Sequence, residues 1–200
     1  MLPISAMLVL FLAACGGAAD RPRVSGAPRL VRELTVKSDY GQIYIYDGRA
    51  EIWDDSATEE DNPLQRALDD ASRSQGFVGY DNGLVDFLTP SQYNWNAPMR
   101  IEVGDEPPPL DTDGWDHVVE VPLPLQSGTL CFEASGGGTP IETHVPPGIY
   151  RARLSGRGFV SGAGEIEGRE SYRLQLWPAD PSEPKLIKYW DGYDVVRPNG

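Results

Sequence analysis

Short runs in which apolar side chains alternate with polar ones recur along the chain from Leu30 onward. Residues 30–37 (LVRELTVK) and 42–46 (QIYIY) are rich in β-branched and aromatic types. They predict two strands, with Ser38-Asp39-Tyr40-Gly41 as the turn between them. The same signal returns at residues 77–80, 84–88, 99–103, 117–123, 129–134, 140–145, 149–154, 172–177 and 186–190, with turn-forming residues between. One stretch has a different period. Leu64, Ala67, Leu68 and Ala71 fall at i, i+3, i+4 and i+7, a single apolar stripe of a helix. Asp61 or Asn62 can cap it, Pro63 suits its first turn, and Gly76 can close it. The stripe is narrow and made of small residues, so this helix is expected to lie against a sheet.

About ten short strands with one helix predict a mainly β fold, an antiparallel β-sandwich of jelly-roll-like form. Alternation assigns faces to the late strands. Tyr150, Ala152 and Leu154 point one way, and Arg151 and Arg153 the other. Tyr172, Leu174 and Leu176 likewise alternate with Arg173, Gln175 and Trp177. If these two strands pair, Arg151, Arg153 and Arg173 share one exposed face, with Trp177 outward beside them. Two readings follow: cross-strand ion pairing with Glu120, Glu133 or Glu142, or a docking patch for an acidic ligand or protein partner.

Composition narrows the class. Hydrophobic residues make up 40% of the 200 and charged residues 24%, enough to bury a core. Gly 22 and Pro 18 disfavour a helical bundle. Lys+Arg 17 against Asp+Glu 30 gives −13, which repels phosphate backbones and argues against nucleic-acid binding. The charge is uneven. Residues 147–200 carry a net +1 on a body that is otherwise strongly acidic, and residues 51–61 (EIWDDSATEED) hold six acids and no base.

The first residues carry an address signal. Residues 4–12 are largely apolar and lead into Leu12-Ala13-Ala14-Cys15-Gly16-Gly17, a short apolar core before small residues, as in a secretory signal. Leu-Ala-Ala-Cys resembles the lipobox of bacterial lipoproteins, in which the cysteine is lipidated and becomes the new N-terminus. The reading is therefore a signal peptide over 1–14, lipidation at Cys15, a flexible tether over 15–29 and a β domain over 30–200. The expected location is the extracytoplasmic face of the cell membrane. The alternative is a cytoplasmic protein with a mis-called start codon. With Cys15 given to lipid, Cys131 is left without a disulfide partner.

Several stretches resemble a known family when taken together: SDYGQIYIYD at 38–47, GFVGYDNGLVDFLTP at 76–90, NWNAPMRIEV at 94–103, WDHVVEVPL at 115–123, VPPGIYRARLSGRGF at 145–159 and ESYRLQLWP at 170–178. They are similar to a family of uncharacterised actinobacterial proteins, itself more distantly similar to the competence-associated nuclease inhibitors. The resemblance implies a compact β-sandwich and protein binding, and it carries over no catalytic residue.

No motif for a catalytic centre is present. There is no Gly-x-Ser-x-Gly elbow, HExxH or Cys-x-x-Cys, and no GxGxxG or Walker-type loop. His117 and His144 both fall in expected strands and read as structural or surface histidines. Cys131, between Leu130 and Phe132, reads as a buried, inert thiol. Asp111, Asp113 and Asp116 flank Gly114 but lack the ligand spacing of a calcium loop, so no metal is expected there. Residues 135–139 (SGGGT) link two strands and read as a hairpin loop rather than a phosphate cradle. Trp53, Trp95, Trp115, Trp177 and Trp190 read as packing residues, with sugar stacking as the other use of exposed rings. The reading is a lipid-anchored, non-enzymatic binding or structural domain without cofactor. Its alternative is an acidic inhibitor or immunity-type protein covering a basic enzyme such as a nuclease.

Overall fold

The computed structural model describes residues 27–81, 83–160 and 167–196, so Cys15, the signal segment and most of the tether lie outside the described residues. The strands are β1 (Leu30–Ser38), β2 (Gln42–Asp47), β3 (Val78–Asp81), β4 (Leu84–Leu88), β5 (Asn94–Val103), β6 (His117–Leu125), β7 (Thr129–Ala134), β8 (Ile141–His144), β9 (Gly148–Arg157), β10 (Ser171–Pro178) and β11 (Lys185–Lys188). Helix α1 (Pro63–Arg73) lies between β2 and β3, and a four-residue helix, α2 (Tyr193–Val196), follows β11. The protein is mainly β.

Two sheets form among these residues, a six-stranded one in the order β1-β5-β10-β9-β6-β11 and a five-stranded one in the order β3-β4-β2-β7-β8. Their inner faces share one core. Ile43, Ile45, Val85, Phe87 and Phe132 from the five-stranded sheet meet Met99, Ile101, Val121, Leu123, Ala152, Leu154 and Leu174 from the other. These are the positions that alternation points inward, and each fully buried large side chain stabilises the fold by about 1.5–3 kcal/mol.

Helix α1 begins where Asn62 Oδ1 accepts the Leu64 amide at 3.1 Å, with Pro63 in its first turn. Its C-cap is Ser74 rather than Gly76. Ala67 and Ala71 are fully buried, and α1 lies on β3 so closely that a Cβ on Gly79 would overlap the Ala67 carbonyl. The Tyr80 amide donates to Asp70 Oδ2 at 2.9 Å, which fixes the helix along the strand. A second, smaller apolar cluster of Tyr44, Tyr46, Leu84 and Cys131 sits on the outer face of the five-stranded sheet, with Leu64 and Ala67 of α1 packed on it.

Two expectations need correction. The sheets are not wholly antiparallel, because β10 runs parallel to β5. The turn expected at 38–41 is present, and it carries the chain from β1 in one sheet to β2 in the other, through Tyr40 (φ 49) and Gly41 (φ 70). The segment 186–190 is strand only to Lys188, after which the chain turns into α2. The reason is aromatic packing. The Tyr193 ring stacks on Phe77 at 4.0 Å, and its hydroxyl donates to the Leu88 carbonyl at 2.5 Å.

Candidate functional site

The strands β9 and β10 do pair, with Arg153 opposite Gln175 and Arg151 opposite Trp177. The expected exposure of that face does not hold. Two irregular segments cross it, one running from β5 to β6 and one from β10 to β11. Arg153 Nη1 donates to the carbonyls of Pro108 (3.3 Å) and Pro109 (3.2 Å). Arg151 Nη1 donates to the carbonyls of Ser182 (3.0 Å) and Glu183 (2.9 Å). Both guanidiniums share Glu120, at 2.9 Å from Arg153 Nε and 3.4 Å from Arg151 Nε. Arg153 lies over the Trp177 ring and Arg173 over the Trp115 ring, at 5.1 and 4.5 Å. Arg173 also pairs with Asp111 at 3.1 Å. Arg151, Arg153 and Trp177 are buried. Proline-rich segments leave carbonyls without strand partners, and the forked guanidinium donors take them. Ion pairing with Glu120 is thus what the structure displays, and neither Glu133 nor Glu142 joins it among the described residues.

The remaining candidates fall in separate places. His117 is fully buried. Its Nε2 lies 2.7 Å from the Gly76 carbonyl, and its Nδ1 is 3.3 Å from the Trp190 amide. Those partners make Nε2 the protonated nitrogen, and burial pushes the imidazole pKa down to about 4. His144 is exposed on β8. Cys131 is buried, and burial raises its thiol to about 11. Asp111 is taken by Arg173, and Asp116 accepts the Phe159 amide at 3.0 Å. Residues 135–139 join the antiparallel pair β7 and β8 as a hairpin loop.

A groove of about 510 Å³ lies between α1, the outer face of β2 and the acidic segment before the helix. Gln42 and Tyr44 of β2 and Ser135 after β7 form its floor, and Leu64 and Leu68 of α1 one wall. The floor is a hydrogen-bonded set: Tyr44 Oη is 3.2 Å from Gln42 Oε1 and 3.0 Å from Ser135 Oγ, and Gln42 Nε2 donates to Ser135 Oγ at 3.2 Å. Burial pushes the Tyr44 phenol up to about 12, so it stays a neutral donor.

The opposite wall carries Trp53, Asp54, Asp55 and Glu59. Local hydrogen bonds shape it. Asp54 Oδ1 accepts the Ser56 amide at 2.8 Å and hydroxyl at 2.6 Å, and these bonds hold the Asp54 carboxyl below its ordinary value. Asn62 Nδ2 reaches the Asp54 carbonyl at 3.5 Å, tying the segment to the helix cap. The Trp53 Nε1 donates to Asp55 Oδ1 at 2.6 Å, and the ring is 59% exposed. An aromatic face beside carboxylates, above an apolar wall and a polar floor, suits a planar or compact cation. The sequence singled out Trp53 and the acids but missed the floor. Its signal was the run QIYIY, which places Gln42, Tyr44 and Tyr46 on the face away from Ile43 and Ile45.

No family model matches the chain, and no curated protein matches it. Two solved structures have a similar fold. One is described as "Crocagin biosynthetic gene J", with 19% identity over 76% of this chain and 98% of that chain and a TM-score of 0.50. The other is ComJ from Bacillus subtilis, described as an inhibitor of the DNA degrading activity of NucA, with 12% identity over 76% of this chain and 97% of that chain and a TM-score of 0.49. At these identities the likeness concerns the arrangement of strands alone.

Proposed function

We propose that this chain is a binding protein, not an enzyme, that docks a basic protein partner in the groove under Trp53. The observation that carries the reading is the wall itself: an exposed indole held by Asp55 and flanked by Asp54 and Glu59, over about 510 Å³ of open groove. A basic enzyme such as a nuclease is the partner class favoured by the acidic charge and by the sequence resemblance described above. Carboxylates on the rim steer such an encounter, and the indole supplies the anchor. We infer alongside it that Cys15 is lipidated and that residues 15–29 tether the domain to the extracytoplasmic face of a membrane, on the strength of Leu12-Ala13-Ala14-Cys15.

The test is calorimetric titration of the full chain against a panel of basic nucleases, with basic proteins of other activities as controls. Trp53→Ala and Glu59→Gln should each weaken binding about tenfold, the size of a modest hot spot. Affinity should fall as salt rises. A wild-type chain that binds no panel member, or variants that bind as wild type does, overturns the reading.

A further inference from the structure

The interior between the sheets is apolar along most of its length. At the end where β1 and β4 finish and β5 and β10 start, it turns polar. Ser38, opposite Asn94 across the β1–β5 ladder, is fully buried, and Asn94, Ser91 and Glu170 are nearly so. The Glu170 carboxylate accepts the Asn94 side-chain amide at 2.9 Å. Among the described residues the hydroxyls of Ser38, Ser91 and Tyr172 are buried without a hydrogen-bond partner. Unpartnered buried hydroxyls are costly, and that of Ser91 lies beside the buried Glu170 carboxylate.

Gly168 organises this end. Its amide donates to the Tyr93 carbonyl at 2.7 Å, which holds residues 167–170 against the start of β5. A Cβ on Gly168 would collide with both Glu170 Oε2 and Ser91 Oγ, so these two oxygens converge on one point that only glycine leaves open. A cavity of about 190 Å³ lies there, lined by Ser91, Glu167, Gly168, Arg169 and Glu170 among others. Among the described residues, two carboxylates against one guanidinium leave its lining net negative.

We propose that this cavity holds a hard cation, with the Glu170 carboxylate and the Ser91 hydroxyl as ligands and Glu167 as the second carboxylate. The donor set is all oxygen, mixed between charged and neutral groups, which is what calcium and sodium take rather than zinc or copper. Bound there, the ion links the β4–β5 connection at Ser91 to the lead-in of β10 at Glu170. The site shares no residue with the groove under Trp53 and stands apart from that reading.

The experiment uses the full chain, stripped with chelator and dialysed against labelled calcium in one arm and labelled sodium in the other. Uptake of one ion per chain in either arm is expected, and the arms tell the two charges apart. The melting midpoint should rise by about 5–10 °C at a hundredfold excess over Kd. Glu170→Gln should abolish uptake, and Ser91→Ala, which removes only a hydroxyl, should weaken it tenfold or more. If Glu170→Gln does not fold, Ser91→Ala decides alone. Uptake of neither ion at millimolar concentration, or a Ser91→Ala chain that binds as wild type does, overturns the proposal and leaves the cavity to water.

Discussion

The Arg153 guanidinium lies over the Trp177 ring, 5.1 Å from its centre, while its Nε donates to Glu120 Oε1 at 2.9 Å. Ring, cation and carboxylate form one packing unit under the proline-rich segment. Glu120 serves Arg151 as well, and both guanidiniums are buried. Glu120→Gln should therefore cost about 3–5 kcal/mol, because it leaves buried cations short of their counter-charge. The Arg66–Asp81 pair, more exposed, is the control: Asp81→Asn should cost under about 1 kcal/mol. Urea unfolding of both variants checks this, and equal small losses would contradict it.

Gly79→Ala should displace α1. The new methyl has to push the Ala67 carbonyl, which is backbone and cannot rotate away. A loss of about 3 kcal/mol or more is expected, at the upper end of overpacking costs. Because α1 forms one wall of the groove, the variant should also lose partner binding out of proportion to its remaining stability. A melt unchanged from wild type would show that the helix does not sit this close.

Stability should fall in mildly acidic solution through His117. Its ordinary pKa of 6.5 drops to about 4 in the folded chain. Above pH 6.5 both states are neutral and the contribution is complete. Between 6.5 and 4 the unfolded chain takes up the proton and the folded chain does not, so stability is lost as pH falls. The full effect is about 3 kcal/mol. His117→Gln should remove that part of the pH dependence when melts at pH 7 and pH 4 are compared. An identical pH profile in the variant would assign the slope to other groups.

The address is tested at Cys15. Wild-type chain should partition with membranes and take up labelled palmitate, and Cys15→Ala should abolish the label and accumulate unprocessed precursor. Wild-type protein recovered wholly in the cytosol with Met1 intact would refute the anchor.

Strand positions were legible because inward and outward residues alternate cleanly. The spans of β4 and β7 match the sequence pattern residue for residue, and in β9 the alternation put Ala152 and Leu154 on the core side, away from Arg151 and Arg153. What covers a face was not legible. Pro107, Pro108 and Pro109 announce a break in regular structure but not where the break travels, so Arg151, Arg153 and Arg173 looked exposed. The groove was half readable. Trp53 and its acids are local, whereas Ser135 joins Gln42 and Tyr44 only through the β2–β7 ladder. Strand neighbours far apart in sequence leave no periodic trace, and the parallel β5–β10 pair is the clearest example.

That pair also sets a timetable. Strand β10 sits between β5 and β9, which precede it in the chain, and it is the last piece of the six-stranded sheet's middle to be made. Until it arrives, the β1–β5 ladder and the β6–β9 ladder are two separate half-sheets, each with a bare hydrogen-bonding edge. Joining them needs closure over a long stretch of chain, which is slow relative to hairpin formation. A nascent or truncated chain that stops after Arg157 is thus the form most prone to sticking to its own copies, and the arrival of residues 171–178 ends that exposure.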